Sequence, residues 1–459
     1  MLKRAANLIF ISSLLFSSLP VFSNESENKR KETHTDLTNI VSVQKISDLG
    51  VEVIQLKNGM KVVLKESDFD DEIAIRLTAM GGFSSLPCTQ RASGELSASV
   101  ALRSGLGNYT FDQLQAFLYQ HSIDFNVVIN PFSRVIEGST IPEEVETLFT
   151  LINLCFAKHD FSLYSYRKII GKEKIKIENR SKDISRCFED VCLCFNSQCF
   201  PPLMPLTMND LEKANFHIAE QFFNRCVADP SHFVCVIVGP FDPENIRPLV
   251  AKHLAAIPKN PQPPIETRHP LPLMSKERKT KIIDHFHRST SMTKLTIPIQ
   301  VAIDQRNIGP IESIVKLIGM RLRDTVENRL NESLEIQVKL EFPLGPSLQM
   351  SWLTIEYLCD PPLVKPVCEV ILSELKCLQN RGVETEELVT LKQRLLLDGP
   401  LSSRDNDFWA TILSNYFLRH WDPGNILNNH HRLLEKEQIK RHLDTLYSLD
   451  QYRIVSTQP

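Results

Sequence analysis

Histidine spacing is the first place where this chain could carry metal chemistry, because two histidines on one face of an element can share an ion. Among its 13 histidines, the one followed by a glutamate at the third position is His217, ahead of Glu220, and Gln221 comes next rather than a second histidine. The remaining pairs with suitable spacing are His285 with His287, on one face of a predicted strand, and His430 with His431, in a polar stretch. A solvated surface explains each pair more simply, so the sequence favours neither a metal nor any other cofactor.

Cysteine is the second residue type with possible chemistry. There are 11 cysteines, and an odd count leaves at least one thiol unpaired. The dense cluster, which could form a metal site or a redox staple, consists of Cys187, Cys192, Cys194 and Cys199. Cys192 and Cys194 lie in a helix-compatible apolar run and would point about 200° apart. We therefore interpret the cluster as thiols packed as small hydrophobes, while the spacing leaves disulfide connectivity open.

Other catalytic chemistries lack their usual patterns. There is no G-x-S-x-G elbow and no phosphate-binding glycine loop, and the chain has only 16 glycines. The sequence context of the cysteines does not indicate a lowered pKa. A net charge of -3, from 52 basic and 55 acidic residues, argues against a nucleic-acid partner.

The N-terminus has the pattern of a secretory signal. Lys3 and Arg4 precede an apolar run over residues 8–16, and Val21, Phe22 and Ser23 form a small-residue cleavage region. The apolar run is shorter than the roughly 20 residues that a membrane-spanning helix needs. Residues 1–23 are thus predicted to be a signal peptide, and the mature protein to be exported, without a transmembrane segment, to the periplasm or cell envelope.

Strands and helices alternate through the first half of the chain. Residues 24–48 are polar and predict a flexible leader. Alternating apolar runs flank the Asn58-Gly59 hairpin signal, and residues 73–80 predict a third strand. Further strands are predicted at residues 125–129, 135–139 and 232–238, and helices at residues 94–103, 110–118, 142–154, 163–180 and 207–225.

Six prolines between residues 258 and 272 predict an extended linker. Beyond it the order of elements repeats, with strands predicted at residues 281–287, 292–301, 335–342 and 348–358, a helix at residues 311–329, and helices after these. The chain is therefore predicted to hold two tandem α+β domains, residues 49–257 and 276–459, joined by a linker over residues 258–275.

Short motifs in this order resemble the insulinase/pitrilysin family of zinc peptidases, and more closely the non-catalytic C-terminal half of its long bacterial members. The resemblance runs from about residue 51 to the C-terminus and implies two insulinase-like (LuxS/metallopeptidase-like) units. Each unit would be a mostly antiparallel sheet with helices packed on it. The matching segments are residues 56–64, 81–82, 236–242, 254–258, 321–323, 359–361 and 386–394.

An active half of this family carries the zinc motif H-x-x-E-H on the helix after the third strand. The resemblance implies that this motif falls on residues 97–101, where Ser97 and Ala101 replace the two histidines and Val100 replaces the glutamate. None of these side chains can bind zinc or activate a water molecule.

The family's second unit also supplies an arginine and a tyrosine, seven residues apart, that hold the substrate backbone. The resemblance implies that Glu327 and Leu334 occupy these two positions, with Asn331 and Glu332 in place of paired glycines. Glu327 reverses the charge and Leu334 cannot donate a hydrogen bond, so this substrate handle is also lost.

Two functions are compatible with these losses. The first, which an intact fold with an empty site favours, is a pseudoenzyme that serves as the non-catalytic subunit of a two-chain exported zinc metallopeptidase, paired with a subunit that carries H-x-x-E-H. Alternatively, the chain could be a stand-alone periplasmic protein that binds peptides or unfolded proteins, or a scaffold. Loss of the substrate handle favours the second function, because a subunit lining a catalytic chamber would gain from retaining it.

Overall fold

Two β-sheets form the framework of the protein. The computed structural model describes residues 37–266, 277–284, 289–303, 307–342, 351–402, 405–419 and 434–458. The strands are β1 Ile40–Ile46, β2 Val51–Leu56, β3 Lys61–Glu66, β4 Ile73–Met80, β5 Asp124–Ile129, β6 Ser133–Thr140, β7 Phe233–Gly239, β8 Arg278–Ile283, β9 Ser291–Pro298, β10 Ile336–Glu341, β11 Trp352–Cys359 and β12 Tyr452–Thr457.

Helices connect and cover these strands. They are α1 Arg91–Ser104, α2 Phe111–Gln120, α3 Val145–Cys155, α4 Leu163–Arg180, α5 Ile184–Ser197, α6 Met208–Glu212, α7 Phe216–Val227, α8 Pro243–Leu249, α9 Ile308–Leu330, α10 Val364–Arg381, α11 Thr385–Ser402, α12 Asn406–Arg419 and α13 Lys436–Leu446. Within the described ranges, none is both long enough and apolar enough to cross a bilayer.

The first sheet has seven strands in the order β1-β2-β3-β7-β4-β6-β5. β3 and β7 are parallel, and the other neighbours are antiparallel. The predicted β2–β3 hairpin turns at Gly59, whose φ of 95° favours glycine. Asn58 fixes this turn from inside the protein, because its buried amide donates to the carbonyls of Leu254 and Ile257 at 2.8 and 3.1 Å.

The second sheet has five strands in the order β10-β11-β9-β12-β8. Read from the other edge, β8-β12-β9-β11-β10 reproduces the order β3-β7-β4-β6-β5 of the first sheet, including one parallel pair, β8 with β12. The predicted internal repeat and α+β fold class are confirmed, and both sheets are mostly antiparallel.

The last strand, β12, is missing from the sequence prediction, which placed only helices after residue 358. β12 lies between β8 and β9 and pairs with strands more than a hundred residues earlier in the chain. Its six residues show no clear alternation of apolar and polar side chains. Non-local pairing, rather than local propensity, stabilises this strand, so a local pattern could not predict it.

The predicted flexible leader is wrong at its C-terminal end, where β1 pairs antiparallel with β2. Val41 and Val43 on β1 are 62% and 45% exposed. An edge strand of this kind is held mainly by backbone hydrogen bonds, so it needs no apolar face that a sequence pattern would reveal.

One predicted helix, residues 207–225, is also wrong, since it is two helices, α6 and α7. Thr207 caps α6 with the predicted capping box. Asn215 then starts α7, because its side-chain oxygen accepts from the Ile218 amide at 3.1 Å. Two caps eight residues apart therefore divide one amphipathic stretch.

The first sheet is buried on both faces at its central strand, β7. Every residue of β7 is buried, and successive side chains of a strand point to opposite faces. Phe233, Cys235 and Ile237 belong to the large core beneath the helices of the first half. Val234, Val236 and Val238 face the other way and pack in a separate core.

That separate core is completed by α12, a helix from the second half of the chain. α12 packs across β4 and β7. Its Trp409 and Leu413 contact the valines of β7. Asn406 at the start of α12 donates to the carbonyl of Glu72 at 2.8 Å and accepts from the hydroxyl of Ser67 at 2.7 Å.

The second sheet is covered in the reciprocal way by α5, a helix from the first half. α5 packs on β12. Its Asn196 donates to the hydroxyl of Thr296 at 2.8 Å, and its carbonyl accepts from Arg453 at 3.0 Å. Each half of the chain thus supplies one helix to the sheet of the other half. The domain limits predicted from the linker stay a prediction. Among the described residues, β1–β7 of the first sheet precede the linker and β8–β12 of the second sheet follow it.

We expect Leu413→Ala to lower the free energy of unfolding by about 2–5 kcal/mol, because it removes a fully buried side chain between α12 and the first sheet. Thr411→Ala, at an exposed position of the same helix, is the control and should change it by less than about 0.5 kcal/mol. Urea denaturation measures both. Equal effects would show that α12 does not depend on this sheet.

Candidate functional site

The positions implied by the zinc motif lie on α1. Ser97, Val100 and Ala101 are 0%, 0% and 2% exposed. The hydroxyl of Ser97 donates to the carbonyl of Gly94 at 2.7 Å. Val100 and Ala101 belong to the large core of the first half. These residues therefore serve helix packing and offer no group that could bind a cation.

α1 is held closely on several sides, by α7, β5 and α4. Gly94 shows how tight the packing is, because a Cβ added there would lie 2.6 Å from Leu86 and 2.9 Å from Phe83. A larger side chain at this point would force these neighbours to move.

The substrate-handle positions lie near the second sheet. Glu327 is exposed on α9, and Leu334, beyond the end of that helix, is half-buried against the second core. Asn331 ends α9 in the left-handed conformation with a φ of 56°, and its amide donates to the carbonyl of Glu327 at 2.9 Å. This sequence thus closes the helix at the place where paired glycines were expected.

Two of the described histidines, His159 and His217, have surroundings that differ from those of metal ligands. The ring of His159 is hydrogen-bonded to the carbonyl of Cys155 at 3.0 Å, and burial lowers the pKa of His159, which favours the neutral form. Glu220 accepts from the amide of Phe161 at 2.7 Å rather than facing a metal with the exposed His217. Among the described residues, no three His, Cys, Asp or Glu side chains are grouped to hold a metal ion. The other candidates, His285, His287, His430 and His431, lie outside the described residues.

Burial also explains why several thiols are poor nucleophiles. It raises the pKa of Cys226 to about 12 and that of Cys359 and Cys368 to about 11. Since the thiolate is the reactive form, these cysteines remain protonated near neutral pH.

The interpretation of the cysteine cluster as free thiols is wrong for one pair, because Cys194 and Cys199 form a disulfide. Cys187 and Cys192 are free, as expected. α5 ends at Gln198 in the left-handed conformation, which turns the chain back and brings the two cysteine Cα atoms within 4.0 Å. Helical periodicity could not reveal this pairing because the helix stops between its two members.

A cavity missed by the sequence analysis lies beside α1. It has a volume of about 430 Å³ between α1, the end of β5, α4 and residues 202–206. Arg91 and Glu95 of α1 and Glu173, Lys176 and Arg180 of α4 supply its charged lining. Burial raises the pKa of Glu95, although Arg91 opposes the shift. The one local signal was the set of prolines near residue 202, which predict an irregular segment.

A second cavity of about 160 Å³ shares Arg180 and Leu193 with the first and reaches the second sheet. At its wall, buried Lys294 contacts carboxylates of Glu356, Glu341 and Glu189 at 2.7, 3.0 and 3.3 Å. Burial alone would lower the pKa of Lys294, but the carboxylates outweigh burial and raise it. Because Glu189 belongs to α5, this cluster joins the two halves.

Lys294→Met should lower the free energy of unfolding at pH 7 by about 2–3 kcal/mol, less than for a fully buried pair because the carboxylates keep some contact with water. Burial opposes the shift, yet Lys294 holds the pKa of Glu356 below its usual value. This contribution is therefore present above the unfolded-state pKa of about 4.3 and lost as the pH falls through the lower folded-state value.

The deficit of Lys294→Met should consequently stay constant from pH 7 to about pH 5 and shrink as the pH falls below about 4 in denaturant titrations. Lys339→Met is the matched control, since Lys339 is half-exposed and contacts the same Glu356 at 3.3 Å. It should cost less than about 1 kcal/mol. A deficit that does not depend on pH would contradict the assignment.

Val100→Glu should destabilise the protein by about 3–5 kcal/mol, because it places a carboxylate without a partner in the packed interior. Ser99→Glu, on the exposed face of the same helix turn, should cost less than about 0.5 kcal/mol. Thermal unfolding compares the two. If both variants were equally stable, the motif position would be open to solvent rather than filled.

The sequence is similar to those of known peptidase-family proteins. Residues 219–395 match the family model described as the Peptidase M16 inactive domain. The zinc protease PQQL-like of Arabidopsis thaliana is 26% identical over 410 residues, covering 85% of this chain and 39% of that protein. The chain therefore spans about two fifths of the length of this relative.

Solved structures show the same fold. The periplasmic protease PqqL from Escherichia coli superposes with a TM-score of 0.78 at 13% identity, covering 96% of this chain and 49% of that one. The peptidase M16 inactive domain from Pseudomonas fluorescens gives a TM-score of 0.74 at 16% identity, covering 89% and 98%. The resemblance inferred from the motifs is confirmed: the chain is a homologue of the PqqL-like zinc proteases and resembles the non-catalytic half of the insulinase/pitrilysin (M16) peptidases.

Proposed function

We propose that this protein is the non-catalytic subunit of a two-chain exported zinc metallopeptidase. The observation that carries the proposal is the packing of α1. This helix packs against β5 and α7, and its residues Ser97, Val100 and Ala101 are buried. Such a helix preserves the framework and supplies neither a metal ligand nor a base.

We further propose that these three residues occupy the places of the zinc ligands and the base, and that Glu327 and Leu334 occupy those of the substrate-holding pair. The chain then contributes neither zinc nor a backbone clamp. Catalysis would belong entirely to a partner half carrying H-x-x-E-H.

The longer relative supplies the geometry that we propose for the pairing. This chain superposes on 49% of Escherichia coli PqqL at a TM-score of 0.78, and the partner would take the place of the other part of that structure. An obligate interface between halves would bury more than about 2,000 Å². The domain limits at residues 257 and 276 are part of this proposal.

Export is also proposed. Its support is the basic and apolar pattern of residues 1–23 and the description of Escherichia coli PqqL as a periplasmic protease. Export would place the chain in the same compartment as such a partner.

A second candidate function is a stand-alone peptide-binding or scaffold protein. The observation that favours it is the cavity of about 430 Å³ beside α1, which falls in the usual volume range of ligand sites. A protein with this function would bind polypeptide without an active half.

Mixing the mature protein with an exported homologue that carries H-x-x-E-H should yield a stable complex in size-exclusion chromatography. Its rate of cleaving a quenched fluorescent peptide should exceed that of either chain alone by at least about tenfold, since the partner completes the chamber and orients the substrate. Albumin in place of this chain is the control, and a zinc chelator should abolish activity. No complex at micromolar concentrations would contradict the proposal and favour the stand-alone function.

A further inference from the structure

The outer face of α4 is strongly basic. Between residues 163 and 182 the sequence has seven basic and two acidic side chains, in a protein whose net charge is -3. Lys168, Lys172 and Lys176 form a row at i, i+4 and i+8, and all three are exposed. Like charges at this spacing destabilise a helix by about 0.2–0.5 kcal/mol per pair, so the row has an unfavourable self-energy that bound anions would relieve.

Few carboxylates of the protein neutralise this face. Lys176 contacts Glu173 at 3.2 Å. Within the described part of the chain, no ion pair joins Lys172, Lys174 or Arg167 to an acidic side chain. The exposed apolar side chains of Tyr164 and Ile175, 65% and 60% accessible, lie on the same face. The surface therefore combines positive charge with apolar area.

The row of lysines leads to the cavity beside α1, because Lys176 is part of the cavity lining. Arg91, which is 7% exposed, also lines this cavity. One of its terminal nitrogens contacts Glu95 at 3.1 Å and also the carbonyl of Met204. The guanidinium therefore adds a positive charge to the wall of the cavity.

We propose that α4 and this cavity form a binding site for an acidic segment of polypeptide. Glutamate or aspartate side chains contact Lys168, Lys172 and Lys176, and one acidic side chain of the segment enters the cavity that Lys176 and Arg91 line. Apolar residues of the segment cover Tyr164 and Ile175. This inference rests on one part of the proposed function, namely that the chain is not catalytic and therefore binds a polypeptide without cleaving it.

The test uses the mature chain alone and a fluorescein-labelled peptide that alternates glutamate with leucine. Fluorescence anisotropy should show saturable binding that weakens at least tenfold when ionic strength rises from about 0.05 to about 0.5 M. A lysine–leucine peptide of equal length should not bind. Hydrogen exchange should slow in α4 and residues 202–206 on binding and remain unchanged in α10.

Charge reversal of the row, K168E/K172E/K176E, should weaken binding about tenfold or more. The matched control is K57E/K259E/K365E, which changes the net charge equally at exposed lysines elsewhere. This control should bind within about twofold of the parent. Thermal unfolding of both variants checks that they remain folded.

Equal weakening by the two triple variants, or equal affinity for a single-stranded oligonucleotide of the same charge, would overturn the proposal by showing non-specific attraction. Absence of saturable binding would also overturn it. Because the assay contains no active half, these failures leave the two-chain complex standing. Loss of that complex would likewise leave the binding result unaffected.

Discussion

Each sheet of this protein has two faces that need cover, and its own helices cover only one. The valines on the second face of β7 are buried by α12 from the other half, and the second face of the other sheet is covered by α5. This exchange makes the stability of each half depend on the other. Separating the two halves would expose the apolar side chains of β7. It would also remove Glu189 of α5 from the charged cluster around Lys294, so the polar and apolar contacts between the halves would be lost together.

The same exchange sets the limits of what the sequence could predict. β4 and α4 begin and end at the predicted residues, 73–80 and 163–180, because their apolar spacing and flanking turns are local properties. β1 and β12 depend on pairing with strands elsewhere, and α12 was not assignable to the first sheet from its own residues. The disulfide between Cys194 and Cys199 could not be predicted for a similar reason, since it forms only because α5 ends in the left-handed conformation between the two cysteines.

For the candidate site, side-chain identity was predictable and shape was not. Ser97, Val100 and Ala101 lack ligand chemistry whatever their surroundings, so the loss of the zinc motif could be predicted from the sequence at the positions that the resemblance implies. The cavity between α1 and α4 required packing, since residues 202–206 are distant from both helices in the chain.

We infer that this protein has retained a peptidase framework without its zinc chemistry. Zinc content tests this most directly. The chain without residues 1–23, with accessible thiols blocked by iodoacetamide, is dialysed against micromolar zinc, and its zinc content is then measured by mass spectrometry. We expect far less than one zinc ion per chain. One tightly bound ion per chain would contradict it and would require a metal site built from other residues.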